Sequence, residues 1–94
     1  MLTFTDLTFD PHPTGMGGIQ ALQFFDNGRG VSVVRGRGLY CSLDNPDSYE
    51  VAVLLGTAND WDIDDNTHLT DDVLGWQSSH NVTAIMVQVQ ALKD

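Results

Sequence analysis

Basic residues are scarce in this 94-residue chain. Three arginines and one lysine stand against thirteen acids, a net charge of −9. Phosphate binding needs a basic surface, so direct nucleic-acid binding is not expected. Cysteine is nearly absent as well. Cys41 stands alone, which excludes a disulfide within the chain and makes a reducing cytoplasm the expected setting. No apolar run approaches the roughly 20 residues of a membrane-crossing helix, so no membrane association is expected. The opening Leu2-Thr3-Phe4-Thr5-Asp6 lacks the basic and apolar regions of a secretory signal. Glutamate is almost missing, Glu50 being the only one. Aspartate favours turns and caps over helix interiors, which places most of the negative charge on exposed connections. The length suits a single domain, residues 1–94, with one modest core.

What is present reads first as a hairpin. Ile19 to Phe25 and Val31 to Arg35 are rich in β-formers and flank Asp26-Asn27-Gly28-Arg29-Gly30. Asn27-Gly28 suits a two-residue type I′ turn, which pairs Asp26 with Arg29, Phe24 with Val31 and Leu22 with Val33. In that register Leu22, Phe24, Val31 and Val33 share the core face, and the other face is half apolar and partly covered. Leu2 to Phe9 reads as an edge strand. Leu2 and Phe4 are out of phase with Leu7 and Phe9, which suggests a bulge near Thr5-Asp6. Tyr49 to Leu55 reads as a strand with Tyr49, Val51, Val53 and Leu55 on one side, and a short strand follows at Trp61 to Ile63. Val82, Ile85, Met86, Val89 and Leu92 recur at helical spacing, with Ser79 or Asn81 as N-cap. Thr70-Asp71-Asp72-Val73 resembles a short helical turn broken at Gly75. The expected fold is α+β: an antiparallel sheet of four to five strands with a C-terminal helix packed on one face.

Nine of the thirteen acids fall between Asp44 and Asp72. Within that stretch Asp60, Asp62 and Asp64, with Asp71 at position 12, mimic the spacing of an EF-hand calcium loop. The match fails where geometry matters: Asp65 stands where the loop needs glycine, and an aspartate at position 12 is short for bidentate reach. The simpler reading is a strand with Trp61 and Ile63 inward and the aspartates outward. No metal or cofactor is expected. Gly15-Met16-Gly17-Gly18 is not followed by a strand-to-helix transition or a P-loop lysine, so a hinge explains it better than a phosphate cradle. Cys41 with His12, His68 or His80 offers a nucleophile and base in principle, but a lone cysteine in a small domain is usually an apolar packing residue. Arg29, Arg35 and Arg37 beside Tyr40 are too few for a nucleic-acid footprint, and no enzyme activity is expected.

The acidic stretch has two readings. One is a solvated face that keeps a small protein soluble. The other is a recognition surface for a protein partner with a basic surface, formed by Tyr49, Asp60, Trp61, Asp62, Asp64, Asp65, Asp71 and Asp72, since aromatics ringed by charge suit an interface.

A set of blocks carries a family resemblance. These are His12-Pro13, Gly17-Gly18-Ile19-Gln20-Ala21, Phe24 to Gly36, Tyr49-Glu50-Val51-Ala52-Val53-Leu54, Leu69-Thr70-Asp71-Asp72-Val73-Leu74-Gly75 and Gln90-Ala91-Leu92. In order and spacing they resemble small uncharacterised proteins encoded by tailed bacteriophages and prophages, with departures between Arg37 and Tyr49 and from Gly56 to Asp60. The resemblance implies a viral or mobile-element origin and residence in a bacterial host cytoplasm, and it transfers no catalytic residues. The expected function is therefore an accessory protein that binds a host or viral protein, an inhibitor of a host defence nuclease of anti-CRISPR or DNA-mimic type being one version. The alternative is a structural or assembly component acting as a homo-oligomer.

Overall fold

The computed structural model describes residues 1–13, 17–63 and 74–92. A 3₁₀ turn at Phe4–Asp6 leads to β1 (Asp10–Pro11), β2 (Ile19–Phe24), β3 (Arg29–Arg35), β4 (Tyr49–Thr57), β5 (Asp60–Ile63), β6 (Leu74–Gln77) and the helix α1 (Ser79–Gln90). The strands make one antiparallel sheet in the order β1-β2-β3-β4-β5. β6 shares an edge of β4 with β5: β5 takes the Leu54–Thr57 half and β6 the Tyr49–Val51 half. The chain thus adopts the α+β fold expected of it, with six strands among the described residues where four or five were expected.

Valine builds the centre. Val31 and Val33 stand opposite Val53 and Val51, and directly opposed residues of an antiparallel pair share a face. All four are fully buried against Val82, Ile85, Met86 and Val89 of α1. The valines of α1 are weak helix formers, each costing at most about 0.7 kcal/mol against alanine. Burying a Val, Ile or Met side chain contributes about 1.5–3 kcal/mol, so packing outweighs propensity. The sheet also buries Val34, Ala52 and Leu54 on the face away from α1.

Three local expectations change. The hairpin register is shifted by one residue: Phe24 pairs with Gly30, Leu22 with Ser32 and Ala21 with Val33. Asn27 does not take the positive φ that a type I′ turn demands, whereas Gly28 does at 76°. The connection is therefore three residues, Asp26 to Gly28, closed by the Phe25 N–H to the Arg29 carbonyl at 2.7 Å. Since one step of slip exchanges faces, Leu22 and Phe24 lie away from the helix, and Ala21 and Gln23 lie toward it.

The reason is tertiary. The Asn27 amide donates to the carbonyls of Val89 and Leu92, at 2.8 and 3.0 Å, and so closes the C-terminal end of α1. Within the chain's own last turn the Val89 carbonyl also accepts the Leu92 N–H at 3.1 Å, and the Asn27 amide adds a second, tertiary donor there. The opposite end is held by Ser78, whose Oγ accepts the Asn81 N–H at 3.1 Å, and by Asp47, whose carboxylate accepts the Ser79 N–H at 2.8 Å. The N-cap is thus Ser78 rather than the expected Ser79 or Asn81.

The third change is at the start of the chain. Leu2 to Phe9 is not a strand. The Asp6 carboxylate accepts the Thr3 N–H at 2.8 Å and closes the 3₁₀ turn, which accounts for the phase break between Phe4 and Leu7. Thr83 Oγ1 accepts the Phe4 N–H and Gln90 Oε1 the Leu2 N–H, at 3.1 and 3.0 Å. These bonds dock the segment on α1 and leave only Asp10–Pro11 to pair with β2. The proposed helical turn at Thr70 to Val73 lies outside the described residues. Leu74–Gln77, around the glycine expected to break that turn, is a strand.

Candidate functional site

The residues singled out in the acidic stretch separate into three groups. Asp60, Trp61 and Asp62 lie on β5 and are exposed; Asp64, Asp65, Asp71 and Asp72 lie outside the described residues. Tyr49 is directed elsewhere. Its ring packs edge-on to Phe4 at 5.1 Å and tilted to Phe9 at 5.8 Å, against the core under α1. It therefore contributes to the interior rather than to the surface carrying β5.

Burial raises the Tyr49 hydroxyl above its ordinary pKa of 10.0, helped by the Asp47 carboxylate and opposed by the Arg35 guanidinium. The folded state thus prefers the neutral phenol. That contribution is complete below pH 10 and is lost as the pH rises through the folded pKa. Denaturant melts between pH 9 and 12 should show wild-type stability falling more steeply than that of Tyr49→Phe; parallel curves would contradict this account.

β5 is an outer strand whose four residues are all exposed, so the expected inward placement of Trp61 and Ile63 is not met. Ile63 stands opposite Leu54 and Trp61 opposite Gly56, so both lie on the face away from the helix and remain 40% and 42% exposed, Trp61 and Ile63 respectively. Phe24 joins them from β2, its ring 6.4 Å from that of Trp61. Gly30 makes room for this reach: a Cβ there would come within 2.9 Å of Phe24 Cδ1. Asp60 and Asp62 alternate with the indole along β5 and so project from the opposite side of this exposed strand, opposite Thr57 and Leu55.

A second aromatic pair occupies the other end of the same face. Glu50 stands opposite Val34 on the outward side of β4, and its carboxylate accepts the Tyr40 N–H at 3.1 Å. The Tyr40 carbonyl in turn accepts the Trp76 N–H at 2.8 Å. The two rings lie 5.8 Å apart at 38° and are 55% and 64% exposed, Tyr40 and Trp76 respectively. β6 is bulged here, since its pairing shifts register between Tyr49 and Val51. Trp76 sits in the left-handed region at φ 54°, the only non-glycine residue to do so among those described. That conformation costs an L-residue about 1–2 kcal/mol. The β4 residues beside the two groups, Glu50 at one end and Leu54 and Gly56 at the other, are four to six steps apart, roughly 13–20 Å along the strand.

Neither Tyr40 nor Trp76 is among the expected interface residues. Their pairing joins a loop to a bulged strand about 35 residues later, which no local pattern encodes. Among the described residues no group of three His, Cys, Asp or Glu side chains is placed to hold a metal. Most of the calcium-like run lies outside them. Cys41 Sγ accepts from the Gly36 N–H at 3.4 Å and donates to the Gly36 carbonyl at 3.5 Å, a contact that ties the end of the loop to β3. His80 is exposed on the first turn of α1. Among the described residues no helix is long and apolar enough to cross a membrane. Comparison with protein-family models, curated proteins and solved structures yields no match.

Proposed function

We propose that this chain is a small acidic accessory protein of a tailed phage or prophage. It acts in the bacterial cytoplasm by binding a host or viral protein with a basic surface rather than by catalysis. The observation carrying this reading is the outer strand β5, which exposes Trp61, extended by Phe24, on one side and Asp60 and Asp62 on the other. Aromatic rings supply contact area at low entropic cost, and carboxylates on the same strand steer a basic partner. The phage setting rests on the sequence resemblance. Inhibition of a host defence nuclease is the version that suits a charge of −9. An exposed indole among the acids favours a mixed apolar and basic protein surface over imitation of a DNA backbone, which offers phosphates alone.

The test is retention of a partner from bacterial lysate on the immobilised protein. The quadruple variant Asp60→Asn, Asp62→Asn, Asp64→Asn, Asp65→Asn should retain it about tenfold less well, from four charges at some tenths of a kcal/mol each. Salt of about 0.5 M should release it. A variant that holds the same partner equally well, or a wild-type protein that holds none, ends this reading.

A further inference from the structure

Resting on that reading of a basic partner, we infer that Trp76 and Tyr40 form a platform on which an arginine side chain of the partner stacks. The first support is geometric. Both rings are more than half exposed and are held at a defined 38° tilt. Their positions are set through the backbone, by the Trp76 N–H to the Tyr40 carbonyl and the Tyr40 N–H to Glu50. Gly75 allows the loop to come this close, for a Cβ there would lie 2.6 Å from Tyr40 Cβ.

The second support is the left-handed φ of Trp76. Glycine or asparagine takes that conformation with little strain. An indole left 64% exposed returns little burial energy to offset it, so folding stability does not account for tryptophan at this position. Strain retained without a packing gain is a feature of sites that present a side chain to something else.

The third support is charge. The platform rises beside the Glu50 carboxylate on a chain of net charge −9. A cation over an aromatic face is attracted by the ring quadrupole. A guanidinium does this flat, leaving its N–H edge free for a carboxylate, whereas an ammonium is a compact and strongly hydrated point charge. Rings and carboxylate together therefore select arginine over lysine. The protein's own Arg35 does not compete, because its guanidinium is committed to carbonyls of the Ser42–Ser48 loop.

Titration of the whole protein with oligoarginine and oligolysine peptides of equal length, at physiological salt, tests this directly. Wild type should bind the arginine peptide about three- to tenfold more tightly, as expected for a cation–π contact. Trp76→Gly and Tyr40→Ala should each abolish the preference, and Trp61→Phe should keep it. Trp76→Gly relieves the left-handed strain, so it should melt no lower than wild type and its loss of preference cannot come from unfolding. Equal binding of the two peptides by wild type, or a preference that survives both platform variants, overturns the platform and leaves the basic-partner reading standing. Binding of neither peptide overturns both.

Discussion

Replacing Arg35 by methionine is expected to destabilise the protein by about 3 kcal/mol. The guanidinium donates through Nη1 to the carbonyls of Ser42, Asn45 and Ser48, at 3.0, 2.7 and 2.9 Å, and through Nη2 to that of Leu43 at 3.4 Å. One cation thereby organises the turn-rich segment between β3 and β4. Hydrogen bonds to a charged group contribute about 1.5–3 kcal/mol, and carbonyls that lose their donor away from water add a desolvation cost. Methionine preserves the stem and the packing but none of the donors. The effect should reach the helix, because Asp47 in this segment caps Ser79. Urea melts would measure it, and Arg35→Lys should fall between the two, since an ammonium lacks the planar fork. A loss below about 0.5 kcal/mol for Arg35→Met would mean that water serves these carbonyls equally well.

Gly56→Ala is expected to cost about 3 kcal/mol and to lower the melting temperature by roughly 12–24 °C. Gly56 has φ 126°, outside the range an L-residue tolerates. Its N–H also donates to the Gly28 carbonyl at 2.8 Å, which joins the hairpin turn to β4. A Cβ would overlap the Asp60 carbonyl oxygen and come within 2.9 Å of Trp61 Cα. Those atoms are backbone of β5 and cannot swing aside, so the β4–β5 pairing must part or the strand must twist. Because β5 carries Asp60, Trp61 and Asp62, the same change should weaken partner retention more than a core change of equal thermodynamic cost such as Val53→Ala. Equal loss in the two variants would show that β5 geometry has no special part in binding.

Much of the fold is legible in the residues. The alternation of Tyr49, Val51 and Val53 and the run Val31 to Val34 mark strands buried at the sheet centre. The helical recurrence of Val82, Ile85, Met86 and Val89 marks the face that covers them. The hairpin register was not legible, because Asn27-Gly28 satisfies two turn geometries locally. The choice between them rests on where the Asn27 amide finds acceptors, at a helix end more than 60 residues away. The N-terminal segment misled in a similar way: a phase break fits both a bulged strand and a turn, and the Thr3–Asp6 contact together with the docking on α1 selects the turn.

The surface divides along the same line. A charge of −9, its concentration between Asp44 and Asp72, and the absence of a disulfide within the chain are properties of the sequence and needed no structure. Which aromatics meet those carboxylates was a tertiary decision. Tyr49 and Trp61 both adjoin acids in the sequence, yet one ring packs on Phe4 and Phe9 against the core and the other stays at the surface. Tyr40 and Trp76 become neighbours only because β6 returns to the β4 edge with a bulge. Periodicity sets which side of a strand a residue occupies, whereas burial depends on what the rest of the chain lays over that side. That covering is made by contacts distant in sequence, so only the folded chain determines it.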